Sequence, residues 1–469
     1  MQSKGNLGYK GIYNRVRKSI QNGSLKPGDK VASIRSLSEE LKVAKRTVEA
    51  AYDMLIGEGY LVTKGPRGTI VNPDLVIRET SPEKLNRLND PELVSIVKLR
   101  ELKGLFRLGI PAQDHFPYKT WLLISGRVVR KMDAADLLNP PVLGYRPLRE
   151  AIANYVNVSR GISCSPEQII ITSGYKHSLS LILHTLAQKT DKVVFEDPGY
   201  IFGLKLLKRI VNKLYFNPVD SNGLNLDYFK KYNTDAKFVL TAPTHQSPLT
   251  VSLSLSRRQE LLAWATARKS WIIEDDYDGE FHYTKRVIPA LKSLDVNDRV
   301  IYIGTFSKTI MPAIRTSYIV VPAATVSNFM ETSEIFETSQ PLISQKILAS
   351  FIQDGHFYRH LKKMRVLYQE RRKFVISALE KAFPRVFKLE TTDGGMQLIA
   401  YLEKGSDDVG LADIWQKNGL LVYPLSKWFS GKKKMFGLVI GFTNIRSEDE
   451  ALSAFKSVSK KTYEFLEIR

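Results

Sequence analysis

The chain has 469 residues, a formal net charge of +21, ordinary apolar content and a single cysteine. One core rarely fills that length, so two or more domains are expected. No uncharged apolar run reaches the about 18 residues needed to span a bilayer. The opening "MQSKGNLGYKG" lacks the apolar stretch of a secretory leader, and Cys164 alone excludes an internal disulfide framework. A soluble, cytoplasmic protein with no membrane partner is expected. The positive balance suits an anionic partner such as nucleic acid, and it is concentrated: residues 1–72 carry 13 Lys/Arg against 6 Asp/Glu, a net of +7.

In "YKGIYNRVRKSIQNGSLKPGDKV", Ile12, Val16 and Ile20 recur at helical spacing until Gly23 and Pro27-Gly28 end the pattern. "SIRSLSEELKVAKRTVEAAYDMLIGEGYL" reads as two short helices, the first capped by Ser33 and burying Leu37 and Leu41, the second burying Val48, Tyr52 and Leu55. "YLVTKGPRGTIVN" then alternates around a Gly-Pro-Arg-Gly turn as a hairpin. A helix, a helix-turn-helix and a wing can be a bland structural module, but the charge placement argues for DNA. Lys45, Arg46 and Thr47 stand at the start of the third helix, where a recognition helix meets bases and phosphates. Lys64 and Arg67 fall at the wing tip, and Ser33 with Arg35 opens the second helix, whose N-terminus suits a phosphate oxygen. This segment, "LKPGDKVASIRSLSEELKVAKRTVEAAYDMLIGEGYL", resembles the winged helix of the GntR regulators. It departs from their pattern at Ala32, where proline is usual, and at Ala44-Lys45, where Ser-Arg is usual. The expected divisions are a DNA-binding head over 1–73, a linker over 74–103 with one short helix, and a larger domain over 104–469 that binds a small molecule.

Beyond the linker, strand-like runs ("QIIITSG", "KVVFEDPGY", "KFVLTAPTH", "SWIIEDDYDGEF", "RVIYIGTFSK") alternate with helical stretches such as "YKHSLSLILHTLAQK" and "SRRQELLAWATARK". Continuous Ile/Val runs imply strands buried on both faces, and their alternation with helices implies an α/β fold with a mostly parallel sheet. Ligands gather at strand ends in such sheets. "TSGYKHS" joins a strand to a helix through Ser173-Gly174, so the amides near Gly174, Tyr175 and Lys176 could meet an anion. "EDDYD" ends a strand with carboxylates around Tyr277; lacking a histidine or second acidic cluster at useful spacing, it reads as a partner for a cationic ring rather than a metal site. Lys308 stands 33 residues after Asp275, between Thr305, Ser307 and the later Arg315. An amine, a carboxylate, a phenol and a phosphate cup together are what pyridoxal 5′-phosphate requires.

"GYRPLREAIANYV", "EDPGY", "APTHQSP", "IIEDDYDGEF", "GTFSKTIMPAIRTSYIVVP" and "LVIGFTN" occur in an order that resembles the fold-type I aminotransferases. With its head, the chain looks like a MocR/GabR-type regulator: a winged helix joined to an aminotransferase-like domain with a mostly parallel sheet and a smaller C-terminal α+β part. The resemblance implies that Lys308 is the Schiff-base lysine, Asp275 pairs with the pyridinium nitrogen and Tyr277 meets the ring's 3-oxygen. Tyr200 would lie on the ring face, with His245 nearby. Arg315, Thr305, Ser307 and the helix start at Ser173, Gly174, Tyr175 and Lys176 would hold the phosphate. It also implies a homodimer acting on a double-stranded operator. Where many relatives carry a carboxylate-clamping arginine this chain has Val439; it also differs at Phe202, at Gln397 and in "LLNPPVLGYRPLRE". A regulator sensing pyridoxal phosphate or an amine or amino-acid effector is therefore expected, with control of vitamin B6 or amino-acid metabolism. The alternative is an active aminotransferase carrying a DNA-binding head.

Overall fold

The computed structural model describes residues 8–75, 104–283, 289–336, 340–390 and 394–467; the side chain of Arg67 and the expected linker helix lie outside the described residues. Contacts divide the chain into two units, Met1–Leu102 and Lys103–Arg469.

In the first unit, α1 (Tyr9–Gln21), α2 (Ile34–Leu41) and α3 (Lys45–Gly57) precede a hairpin of β1 (Leu61–Thr63) and β2 (Thr69–Val71). Ile12, Ile20, Leu37, Val48, Tyr52, Leu55, Leu61 and Val71 close one core, while Val16 and Leu41 are only half-buried at its margin. The Ser33 hydroxyl accepts from the Ser36 amide at 3.1 Å, satisfying one of the donors that open α2. Lys42 ends that helix in the left-handed region (φ 52°), which permits the tight turn into α3. Tyr52 donates to the Ala32 carbonyl at 2.8 Å and so fastens α3 to the approach to α2. The hairpin pairs Leu61 with Val71 and Thr63 with Thr69 around a short turn at Gly65–Arg67.

The second unit is built on an eight-stranded sheet of β3 (Ile169–Thr172), β4 (Lys192–Asp197), β5 (Lys213–Asp220), β6 (Gly223–Leu224), β7 (Phe238–Thr241), β8 (Trp271–Asp276), β9 (Val300–Thr305) and β10 (Ser317–Val320). Their order is β3-β10-β9-β8-β7-β4-β5-β6. Neighbours from β9 to β5 run parallel, whereas β10 is antiparallel to both β9 and β3, and β6 to β5. Successive residues enter different cores: Ile170, Ile301, Ile303 and Ile319 pack with Leu179 and Ile182, while Ile169, Ile171, Tyr302, Tyr318 and Val320 pack on the other side. Burial of both faces is why the strands read as unbroken apolar runs. A smaller antiparallel sheet orders β11 (Lys388–Leu389), β12 (Gln397–Tyr401), β14 (Gly437–Gly441) and β13 (Tyr423–Pro424) as β11-β12-β14-β13.

Candidate functional site

The sheet brings the distant motifs together. Ser317, at the start of β10, pairs with Thr172 at the end of β3 and with Thr305 at the end of β9, while Asp276 on β8 pairs with Gly304. The chain segments bearing Ser173, Asp275, Lys308 and Arg315 thus converge on one sheet edge.

The 12-residue helix Tyr175–Leu186 begins there with no side-chain cap, and Gly174 enters it at φ 106°. Arg315, itself left-handed at φ 51°, donates from Nη2 to the Ser173 carbonyl at 2.6 Å. A Cβ on Gly174 would lie 3.1 Å from that guanidinium, so glycine supplies both the backbone angle and the close approach. Thr305 Oγ1 accepts from the Ser307 amide (3.1 Å) and the Ser317 hydroxyl (2.8 Å). A hydroxyl has one hydrogen, so this leaves Thr305 able to donate onward. An uncapped helix start, a guanidinium and hydroxyls together form an anion cradle. Lys176 is exposed, with its ammonium 5.4 Å from the Phe202 ring.

Asp275 is buried, and no ion pair to it occurs among the described residues. Desolvation pushes its carboxyl well above the ordinary range, and Asp276, Glu196 and Asp278 add to this while Lys308 opposes it. Its flanking acids are each engaged. Glu274 accepts from the Leu291 and Lys292 amides at 2.7 Å, and Asp276 binds Arg160 at 2.6 Å and the Tyr302 hydroxyl at 2.8 Å. Asp275, with the Tyr175 hydroxyl beside it but no cation paired to it among the described residues, thus suits an incoming cation. The hydroxyl of Tyr277 is buried without a well-formed hydrogen bond, Ser247 interacting with it only outside normal geometry. Tyr200 packs edge-on against Tyr175 with centroids 5.5 Å apart and also faces Phe202 and Trp428.

Lys308 is half-buried and donates to the Gly109 carbonyl at 2.9 Å. Burial holds its amine below the usual lysine range, opposed by Asp278 and Asp275. His245 lies one step away: buried, its Nδ1 is 2.8 Å from Asp278 Oδ1, and Asp278 rather than the histidine faces Lys308 electrostatically. Three participants escaped sequence reasoning: Gly109, Asp278 and the buried Glu196, whose carboxyl burial pushes up to about 7. Asp278 falls within the acidic run already singled out; Gly109 carries no local signal. Val439 is fully buried among Leu249, Ile399, Leu425 and Trp428, a cluster against which Tyr200 also packs.

On the head, Lys45 and Arg46 are exposed and Thr47 half-buried at the start of α3, whose preceding residue Ala44 provides no side-chain cap. Lys64 is exposed at the hairpin turn. Arg35 is exposed and pairs with Glu39 at 3.2 Å.

Residues 8–71 match the gntR family of bacterial regulatory proteins, and residues 132–428 match aminotransferase class I and II. The chain is 32% identical to the probable rhizopine catabolism regulatory protein MocR of Rhizobium meliloti, over 95% of this chain and 92% of that one. It belongs to the MocR-type regulators. Another relative, the pyridoxine biosynthesis regulator PdxR of Corynebacterium glutamicum, is 31% identical, covering 92% of this chain and 91% of its own. Among solved structures, an archaeal alanine:glyoxylate aminotransferase superposes with a TM-score of 0.72 at 26% identity, over 80% of this chain and 95% of that one. Like other MocR-type regulators, the protein combines a DNA-binding head with a pyridoxal-phosphate-dependent domain, and the unpaired Asp275, the open helix start and the buried Tyr277 hydroxyl fit that cofactor. No described helix is long and apolar enough to cross a membrane.

Proposed function

We propose that this regulator senses pyridoxal phosphate itself, through Lys308, and adjusts operator binding accordingly. The observation that carries the reading is the buried Asp275 carboxyl, without an ion pair among the described residues, at the same strand ends as Lys308 and Arg315. Arg315, the amides of Tyr175 and Lys176, and Ser173, Thr305 and Ser307 would hold the phosphate; Asp275 would pair with the ring nitrogen and Tyr277 with the 3-oxygen. Tyr200 would lie against the ring, and His245 would act through Asp278. When bound, the cofactor supplies an aldehyde that condenses reversibly with amines. Val439 favours sensing over turnover: at that β14 position an apolar cluster leaves no guanidinium to grip a substrate carboxylate. An amine or amino-acid effector, or an active aminotransferase, is the alternative. The likeness to the Corynebacterium pyridoxine regulator supports vitamin B6 genes as the target.

A second copy of the chain is proposed as the partner. Tyr118, Leu122, Leu123, Leu137 and Leu138 are 66–78% exposed, apolar surface of the kind that association covers. On the head, Lys45, Arg46, Thr47, Ser33, Arg35, Lys64 and Arg67 would contact duplex DNA. Titrating cofactor against operator binding tests the reading, beside the visible absorbance of the full-length protein. Affinity that shifts with loading in wild type but not in Lys308→Ala is expected; equal affinity with and without cofactor would overturn it.

A further inference from the structure

Lys308 does more than face the strand edge: its amine is tied to the backbone of the stretch that follows the connector. Gly104–Ala112 lies across the second unit as a strap. The Leu105 amide donates to the Gly419 carbonyl (3.0 Å) and its own carbonyl accepts from the Leu421 amide (2.8 Å). Further along, Phe106 O accepts from the Gly441 amide at 3.0 Å, Ile110 O from Asn444 Nδ2 at 2.9 Å, and the Ala112 amide donates to the Tyr368 hydroxyl at 2.9 Å. Between these attachments, at Gly109, the carbonyl is held by Lys308 Nζ.

Two features make this contact specific. Phe106 takes φ +63°, a region that non-glycine residues rarely adopt, and is held there by stacking on Phe455 at 4.6 Å. Gly109 takes φ +62°, and a Cβ there would collide with Lys308 Nζ and come within 3.1 Å of its Cε; the three heavy atoms nearest that position all belong to Lys308. A side chain there would push the lysine amine out of its place, and the backbone angle itself favours glycine.

We infer that the Gly109 carbonyl is a positioning group for the Lys308 amine, and that cofactor loading exchanges this hydrogen bond for a covalent one, loosening the strap that leads into the connector. The inference rests on the sensing role proposed for Lys308. The step balances simply. The free amine attacks the cofactor's aldehyde carbon, a carbon–nitrogen double bond forms, and the carbonyl oxygen leaves as water with both amine hydrogens. The nitrogen then has no hydrogen left for Gly109 unless it is reprotonated, and a half-buried carbonyl that has lost its donor favours release toward water. The loss is delivered to the strap, whose N-terminal end continues in sequence into residues 74–103 and the head.

Hydrogen exchange on the full-length protein tests this, read at the amides of Leu105, Ala112, Leu421 and Gly441. In cofactor-stripped protein, Lys308→Ala should raise exchange there roughly ten- to a hundredfold over wild type, the scale of losing a charged donor. Pyridoxal phosphate should raise it in wild type and leave Lys308→Ala unchanged. Equal exchange in stripped wild type and stripped Lys308→Ala would overturn the inference, whatever the cofactor does. Absent absorbance change on adding pyridoxal phosphate would instead fail the sensing role, leaving the first comparison to judge the contact. A second pair guards against a folding defect. Gly109→Ala should destabilise wild type more than it destabilises Lys308→Ala, because the collision disappears with the lysine; equal losses in the two backgrounds would also overturn it.

Discussion

Arg160 and Asp276 form an ion pair of 2.6 Å with side chains 1% and 2% exposed, one residue along β8 from Asp275. The same guanidinium donates to Thr244 at 2.8 Å, and the Tyr302 hydroxyl donates to the same Asp276 oxygen, Oδ2, at 2.8 Å. This separates two adjacent acids: Asp276 is structural, and Asp275 is left open. Arg160→Met would strand a buried charge and should cost about 3–5 kcal/mol. Chemical denaturation monitored on the second unit checks it, and Arg160→Met/Asp276→Leu should recover much of the loss.

Asp275→Asn keeps the shape and removes the charge. Losing a charged hydrogen bond of about 1.5–3 kcal/mol, the variant should bind pyridoxal phosphate roughly 10- to 150-fold more weakly. Equilibrium titration by absorbance or by Trp428 fluorescence measures it. Asp276→Asn should instead act mainly on stability.

Glu196 is buried between the Thr241 hydroxyl, the Ala242 amide and Gln246, and its desolvated carboxyl is raised from 4.5 to about 7. Because the native pKa exceeds the unfolded one, its contribution to stability is fully present below about pH 4.5 and is lost as pH rises through 7. Glu196→Gln stays neutral throughout. Relative to wild type it should therefore gain on the order of 1–3 kcal/mol between pH 4.5 and 8, in denaturation midpoints taken across that range.

On the head, Arg46 is exposed at the uncapped start of α3. Arg46→Ala should weaken operator binding and, if the contact is to phosphate, lower the salt slope by about one. Ser33→Ala removes the bond to the Ser36 amide and should cost the head about 1 kcal/mol, measured by thermal unfolding.

Local pattern made much of this legible. Ser33 caps α2 because a hydroxyl before an amphipathic run is a local signal, and the Ile/Val runs become strands because both their faces are buried. The motif residues Asp275, Lys308 and Arg315 sit at strand ends, where alternating strands and helices in an α/β chain place them. Asp278, Glu196 and Gly109 were not legible as participants. Asp278 gains its role from His245, 33 residues away, and from proximity to Lys308; Glu196 gains its raised carboxyl from burial beneath Thr241 and Gln246. Gly109 is one glycine among 29 until Lys308 is found 2.9 Å from its carbonyl.

The sequence by itself determined the two-part plan, the strand and helix periods and the residue types for a phosphate, a ring and an amine, because each depends on spacing along the chain. Only the tertiary structure decided which buried acid is neutralised and which left open, that Val439 closes into an apolar cluster, and that Lys308 is tied to Gly109. Those outcomes depend on desolvation and on contacts between residues far apart in the chain, 199 residues for Lys308 and Gly109, which no local pattern encodes.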